Sequence, residues 1–183
     1  MMDTSAEQKN YLHQQLWNST IRASLTRAGK VYLTGIRQVE KKKFKSMLFE
    51  YVSKLIDAEY VMVTPDETRH IQNIRDLADF SGKSRNILCG GKLNFGYSQK
   101  ILNLYLKYRW CTGTAALPPH FPIDRLIQNR LGISPPFNWA EWGDSLKYME
   151  VIDIAKEILT RKPKFVSSAE LELKLYNDTQ FVT

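Results

Sequence analysis

The chain of 183 residues contains few cysteines and few histidines, which limits the kinds of site it can build. Two cysteines, Cys89 and Cys111, are too few for the disulfide framework of a small secreted domain. They are also too few for a four-cysteine zinc or iron–sulfur site. The three histidines, at positions 13, 70 and 120, are far apart, so no clustered histidine motif of a ribonuclease or a metal site is present. We therefore expect neither a metal nor a cofactor.

Long apolar runs are absent as well. No segment approaches the roughly 18 apolar residues that a membrane span requires. The N-terminal segment, MMDTSAEQKNYLHQQ, is too polar for a secretory signal. An apolar fraction of 43% at this length is enough for one domain with a real core. These features favour a soluble protein of the reducing cytoplasm that does not bind a membrane.

Acidic residues are outnumbered by basic ones. The chain has 26 lysines and arginines against 19 aspartates and glutamates, which gives a net charge of +7. The basic residues are concentrated in the ranges 39–46, 82–86, 92–109 and 160–164. Such an excess favours a polyanionic partner such as nucleic acid. A solvated basic surface would have the same composition.

Apolar residues at spacings of three and four predict helices along almost the whole chain. The predicted helices cover residues 5–28, 36–58, 64–80, 97–111, 123–132, 138–162 and 167–178. The one strand candidate, 59–64, is short. We therefore expect a single all-α domain, with N-terminal helices over 1–84, a core over 85–160 and a C-terminal helix over 161–183.

Several residues predict where these helices begin and end. Thr64 is the expected N-cap of the third helix, with Pro65 at its first position. Gly132 should end the fifth helix, and Gly143 should break or bend the sixth. Ser167, with a glutamate three residues later, predicts a capping box at the last helix.

The helix predicted over 97–111 carries one polar stripe in a segment that is otherwise apolar and aromatic. Lys100, Asn103 and Lys107 lie on a single face because they are spaced by three and four residues. A helix with apolar residues on most sides lies at the centre of its domain, so we expect this stripe to face solvent or a cleft. Lys100 would lie in the first turn, where the positive helix end disfavours a second cation and favours the neutral, nucleophilic amine.

Asp124 follows a proline-rich segment, 113–122, that cannot be helical. An aspartate at the start of a helix is most often a simple N-cap. Backbone N–H groups at that position would also keep the carboxylate ionised, and the rigid segment would hold it in a cleft. On spacing alone, a solvated or phosphate-binding Lys100 is the favoured interpretation.

A lysine-bearing helix, an irregular segment and then the motif HFPID (120–124) opening another helix resemble the core of the helix-hairpin-helix DNA glycosylase superfamily. The chain is most similar to the archaeal 8-oxoguanine glycosylases, which also have a second lysine seven positions after the first. Small bacterial glycosylases that act on modified cytosines in phage DNA are the other candidate relatives. The similarity covers about residues 85–160 and implies a two-lobed helical bundle.

The chain departs from this superfamily at the hairpin. The usual L-P-G-V-G is absent, and GGKLNFG (90–96) has glycines at other spacings, so we expect a degenerate hairpin. No iron–sulfur cysteines follow Asp124, which excludes the endonuclease III type.

The resemblance implies a monomeric enzyme that excises a modified or damaged base from double-stranded DNA after the base has been flipped out. The base would be an oxidised purine or a modified cytosine, removed in DNA repair or in defence against phage near the nucleoid. Asp124 would stabilise the positive charge that develops on the deoxyribose. Lys100 would attack C1′ and cleave the strand through a Schiff base; if Lys100 stays protonated, water attacks instead.

Other residues are candidates for contacts with the base and the DNA backbone. Trp139, Trp142 and Asp144 could line a base pocket, although tryptophans three residues apart on a helix usually pack in a core. The candidate DNA-binding residues are Lys92, Asn103, Lys107, His120 and Arg125.

A non-catalytic DNA-binding or adaptor protein on the same fold would share these features, because a fold does not prove an activity. The distinction depends on whether Lys100 and Asp124 share a cleft within reach of one deoxyribose.

Overall fold

A computed structural model of the chain describes residues 4–26, 31–161 and 165–178. Within these ranges the prediction of an all-α protein is confirmed: no strand is present, and Tyr32 and Leu88 form an isolated antiparallel bridge. The helices are α1 (Thr4–Ile21), α2 (Gln38–Glu59), α3 (Glu67–Ser81), α4 (Phe95–Cys111), α5 (Arg125–Arg130), α6 (Leu146–Arg161) and α7 (Ser168–Asn177).

Short turns of other helical types extend or separate these helices. A π-helical turn, Arg22–Thr26, continues α1, so the predicted helix over 5–28 is confirmed up to residue 26, and its last two residues lie outside the described ranges. Two 3-10 turns, Gly82–Ser84 and Trp139–Glu141, precede α4 and α6. None of the helices in the described ranges is long and apolar enough to cross a bilayer.

The start of α3 differs from the prediction. Its N-cap is Asp66, whose carboxylate accepts a 2.8 Å hydrogen bond from the backbone N–H of Arg69, and Thr64 and Pro65 precede the helix. Thr64 instead donates a 2.6 Å hydrogen bond to the carbonyl of Leu117. Two capping residues were available within three positions, and the second one caps the helix.

Residues 59–64, the one strand candidate, do not form a strand. Glu59 ends α2, and Tyr60 turns into the core, where it is 1% exposed. The apolar residues Val61, Met62 and Val63 that suggested a strand are exposed in the turn that follows.

The predicted helix over 138–162 is broken as expected at Gly143. Residues 139–141 form a separate 3-10 turn, and α6 begins only at Leu146, where Asp144 accepts a hydrogen bond from the backbone N–H. Gly132, at φ 83°, follows the last turn of α5 as predicted. At the start of α7, Ser167 accepts from the N–H of Glu170, but the Glu170 side chain accepts from the N–H of Val166 instead of that of Ser167, so only half of the predicted capping box forms.

Helix α4 lies at the centre of the fold, as its apolar surroundings predict. Thirteen of its 17 residues are buried, with α3 and α1 packed against it and the turn Trp139–Glu141 across its first residues. Gly90 and Gly91, both with φ near 78° (78° and 77°), form the turn between α3 and α4, a conformation that favours glycine. The helix-hairpin-helix itself stays a prediction.

Candidate active site

Lys100 and Asp124 are in direct contact. The Lys100 Nζ donates a 2.7 Å hydrogen bond to Asp124 Oδ2, which joins α4 to the start of α5. The lysine side chain is 6% exposed and the aspartate side chain 29% exposed. Any substrate that reaches this pair must therefore approach from the side of the carboxylate.

Two side chains of α4 fix the segment that carries Asp124. Gln99 is fully buried; its amide donates to the carbonyl of Ile123 at 2.9 Å and accepts from the Ile123 N–H at 3.2 Å. One turn later, the Asn103 amide donates to the carbonyl of Phe121 at 3.1 Å. These bonds satisfy buried backbone groups of the proline-rich segment, and they hold Asp124 beside Lys100.

The Asp124 carboxylate is held in its ionised form. Its other oxygen, Oδ1, accepts a 3.0 Å hydrogen bond from the N–H of Ile127. Asp124 is therefore also the N-cap of α5, as predicted. Burial alone would raise the pKa of Asp124, but the Lys100 ammonium and the N–H groups of Ile127 and Leu126 outweigh it and leave the pKa below its ordinary value. A fixed negative charge in a partly buried site is suited to stabilising a developing positive charge.

A second buried ion pair lies beside the first. Lys107 Nζ donates to both carboxylate oxygens of Glu172, at 2.9 and 2.7 Å, and the side chains are 9% and 2% exposed. Burial raises the pKa of Glu172, against the opposing effects of the Lys107 and Lys100 ammonium groups. No local pattern indicates this partner, because Glu172 lies in the last helix, 65 residues away from Lys107.

The expectation that the stripe on α4 faces solvent or a cleft is wrong. Lys100, Asn103 and Lys107 are 5%, 0% and 7% exposed, because later parts of the chain supply an internal partner for each. Helix α4 also begins at Phe95, so Lys100 is in the second turn and not in the first. The helix dipole acts mainly within the first turn. The positive end of α4 therefore gives no reason to expect a neutral, nucleophilic Lys100.

Asn103 belongs to a buried hydrogen-bond network that the sequence did not reveal. Its Oδ1 is 2.9 Å from Nε2 of His70, whose Nδ1 is bonded to the Tyr60 hydroxyl at 2.9 Å. Its Nδ2 donates to the Tyr148 hydroxyl at 3.0 Å, and that hydroxyl is 2.8 Å from Nδ1 of His120. Burial lowers the pKa of both histidines, with a larger effect at His70, so both are neutral near pH 7.

Three predicted DNA contacts are therefore contradicted by burial. Asn103 and Lys107 have internal partners, and His120 is 1% exposed, with its Nε2 2.9 Å from a carboxylate oxygen of Glu67. Lys92 and Arg125 are exposed and remain compatible with a DNA contact, although Lys92 forms an ion pair with Asp79 at 2.5 Å.

The three predicted base-pocket residues differ in their surroundings. Trp142 is 7% exposed and packs edge-on against Tyr148, 6.3 Å between ring centroids, so it is a core residue. Trp139 is half-buried, with its ring edge-on to Tyr97 at 5.9 Å. Asp144 is exposed and lines a separate cleft of about 260 Å³ between the end of α3 and the start of α4, which Lys92 also lines. Lys100 and Asp124 do not line that cleft.

No group of three or more histidine, cysteine, aspartate or glutamate side chains is arranged to hold a metal ion in the part of the chain that the structure describes. Comparison of the chain with protein-family models, with curated proteins and with solved structures found no match.

Proposed function

We propose that this protein is a DNA glycosylase in which Lys100 and Asp124 form the catalytic centre. The observation that carries the proposal is the 2.7 Å contact between the two side chains, made at a site where the carboxylate is partly exposed and kept ionised. The excess of basic residues, at a net charge of +7, supports a polyanionic substrate. The resemblance of the motif around Lys100 and HFPID supplies the reaction type.

The reaction divides between the two residues. As the bond between C1′ and the base breaks, positive charge develops on the deoxyribose and is stabilised by the Asp124 carboxylate. Lys100 loses one proton to solvent and attacks C1′ with its lone pair, while the electrons of the broken bond leave with the base, which takes up a proton from solvent. Nζ then loses a second proton as the C1′–O4′ bond breaks and O4′ takes up a proton, which opens the sugar ring to a Schiff base. Loss of a proton from C2′ then expels the 3′ phosphate.

A non-catalytic DNA-binding protein is the second candidate function, and the burial of Lys100 favours it. In this alternative, Lys100, whose side chain is 6% exposed, has a purely structural role as one half of a buried ion pair that joins α4 to α5. Both candidates predict salt-dependent DNA binding, so a binding assay does not separate them, and a chemical assay is needed.

The test is base release from duplex oligonucleotides that carry single oxidised purines or modified cytosines. Hot alkali converts each abasic site to a strand break, and borohydride in a parallel reaction reduces any lysine Schiff base to a stable protein–DNA adduct. We expect one or more substrates to be cleaved and the wild-type protein to be trapped on them. Cleavage without trapping would indicate attack by water, with Lys100 positioning Asp124.

Lys100→Gln identifies the nucleophile. It should abolish trapping, while Lys147→Gln, which removes an exposed lysine that pairs with Glu150, should leave trapping unchanged. A folded wild-type protein that binds DNA but releases no base from any substrate would refute the glycosylase and favour the non-catalytic alternative.

A further inference from the structure

A basic cleft lies between α1 and α2, in the N-terminal part of the chain. Its volume is about 230 Å³. Arg22 enters it from the π-helical turn, and Lys42 and Lys45 enter it from α2. The remaining polar lining consists of neutral side chains, Gln14, Asn18, Thr26 and Ser46. No acidic residue lines the cleft.

The three cations of this cleft have no carboxylate partner within the described ranges. Elsewhere in these ranges Lys92, Lys100, Lys107, Arg109 and Arg69 each form an ion pair. Like charges held together without a counter-ion repel each other, and a bound anion would relieve that repulsion. The cleft therefore has the electrostatics of an anion site.

The floor of the cleft is apolar. Trp17, Ile21 and Phe49 form it, and Trp17 and Ile21 are only 2% and 4% exposed. Phe49 is half-buried and can contact an apolar part of a ligand. A ligand with both phosphate groups and apolar surface, such as the sugar–phosphate backbone of a nucleic acid, matches this combination better than a small inorganic anion.

The cleft is separate from the site of Lys100 and Asp124. Behind its floor, the ring of Trp17 meets the ring of Tyr105 on α4 at 5.4 Å between centroids. Tyr105 lies five residues after Lys100, which at 3.6 residues per turn turns its side chain about 140° away. The two sites are therefore on different faces of α4.

We propose that the cleft between α1 and α2 binds the phosphate backbone of a nucleic-acid strand. Lys42 and Lys45 would contact phosphates from one wall and Arg22 from the other, while the amides of Gln14 and Asn18 donate hydrogen bonds to the same groups. This binding does not depend on the chemistry of Lys100 and Asp124.

The first test is a lysine footprint on the full chain. The protein is acetylated with a water-soluble N-hydroxysuccinimide ester, alone or with a saturating duplex of ordinary bases, and each lysine is quantified by mass spectrometry. DNA should protect Lys42 and Lys45 severalfold, while exposed Lys147 should react equally in both samples. Equal acetylation of Lys42 and Lys45 with and without DNA would overturn the proposal.

Two further arms separate the sources of phosphate. Inorganic phosphate at the same concentration of phosphate groups and vesicles of phosphatidylserine and phosphatidylcholine replace the DNA. Neither should protect Lys42 and Lys45 as DNA does. Protection by inorganic phosphate equal to that by DNA would indicate a small-anion site, and stronger protection by vesicles would indicate a lipid surface; either result would overturn the nucleic-acid proposal.

The second test is the salt dependence of DNA binding. In Arg22→Gln/Lys42→Gln/Lys45→Gln, the slope of log K against log salt should become shallower by roughly 0.9 for each lost phosphate contact on duplex DNA, or about 2–3 in total. The control Arg37→Gln/Arg69→Gln/Lys147→Gln removes three exposed charges that already pair with glutamates. If both triple variants change the slope equally, only net charge matters and the cleft is not a site.

Discussion

Gly96 is the position at which a single methyl group should have the clearest structural effect. It is the second residue of α4, and its N–H donates a 3.0 Å hydrogen bond to the carbonyl of Trp142. A Cβ on Gly96 would lie 1.8 Å from the carbonyl oxygen and 3.0 Å from the carbonyl carbon of Trp139. Both are backbone atoms, so no side-chain rotation can relieve the overlap. Gly96→Ala must therefore push the segment 139–142 away from α4.

The expected magnitude follows from three terms. Overpacking at a well-packed contact costs about 1–3 kcal/mol, and loss of the hydrogen bond to Trp142 costs about 0.5–1.5 kcal/mol. Replacing glycine by alanine within a helix contributes about 0.8–1.0 kcal/mol in the opposite direction. We therefore expect Gly96→Ala to lower the free energy of unfolding by about 0.5–4 kcal/mol, measured by urea denaturation of the wild-type and variant proteins.

Gly143 provides the matched control. No atom lies within 4 Å of a Cβ built on this residue, and its backbone is outside the left-handed region. Gly143→Ala should therefore change the free energy of unfolding by less than about 1 kcal/mol. The change should be stabilising, because alanine lowers the conformational entropy of the unfolded chain. A Gly96→Ala variant that is as stable as the wild type, or more stable, would refute the close approach of α4 to Trp139. Its free energy of unfolding would then reflect helix propensity alone.

Three further outcomes are expected from the buried polar groups. Lys107→Met should destabilise the fold by about 3–5 kcal/mol because it leaves Glu172 buried and unpaired, whereas Lys107→Met/Glu172→Leu should recover most of that loss in urea denaturation; equal stability of the two variants would contradict the pairing. Because burial lowers the pKa of His70 below its value in the unfolded chain, the unfolded state binds the extra proton, and the free energy of unfolding should fall as pH drops below about 6.5, by up to about 1.4 kcal/mol per pH unit. His70→Asn should make the free energy of unfolding depend less on pH. An unchanged pH dependence would show that a group other than His70 causes it. Gln99→Met should slow single-turnover base release by up to about 10²-fold through misplacement of Asp124, with the Kd for DNA unchanged; an unchanged rate would show that Gln99 does not position the carboxylate.

The sequence was sufficient for features that depend on local chemistry. Helical periodicity, the break at Gly143 and the caps at Asp124 and Ser167 involve residues within a few positions of each other, and all are confirmed. At residues 64–66 the sequence offers two possible N-cap residues for α3, and N-cap propensity alone does not distinguish Thr64 from Asp66.

Features that depend on distant partners could not be predicted. A polar stripe on α4 is equally compatible with solvent and with internal partners, and the choice depends on where Glu172, Tyr148 and the carbonyl of Phe121 come to lie. The contact between Lys100 and Asp124, which are 24 residues apart, was expected only through the resemblance, since periodicity does not determine how α4 and α5 are placed relative to each other. The cleft between α1 and α2 likewise requires the packing of two helices that are separate in the sequence.

The central claim is that the charge of Asp124 stabilises the transition state of base release. The most direct measurement is the single-turnover rate of base release by Asp124→Asn on an oligonucleotide that the wild type cleaves, compared with Asp66→Asn. Both changes replace an N-cap aspartate with another good capping residue. Only Asp124→Asn, however, removes a carboxylate that pairs with Lys100. With both variants folded by circular dichroism and binding DNA like the wild type, Asp124→Asn should be slower by about 10²–10³-fold and Asp66→Asn should be unchanged. A folded Asp124→Asn variant that releases the base at the wild-type rate would reduce Asp124 to a helix cap and contradict the account.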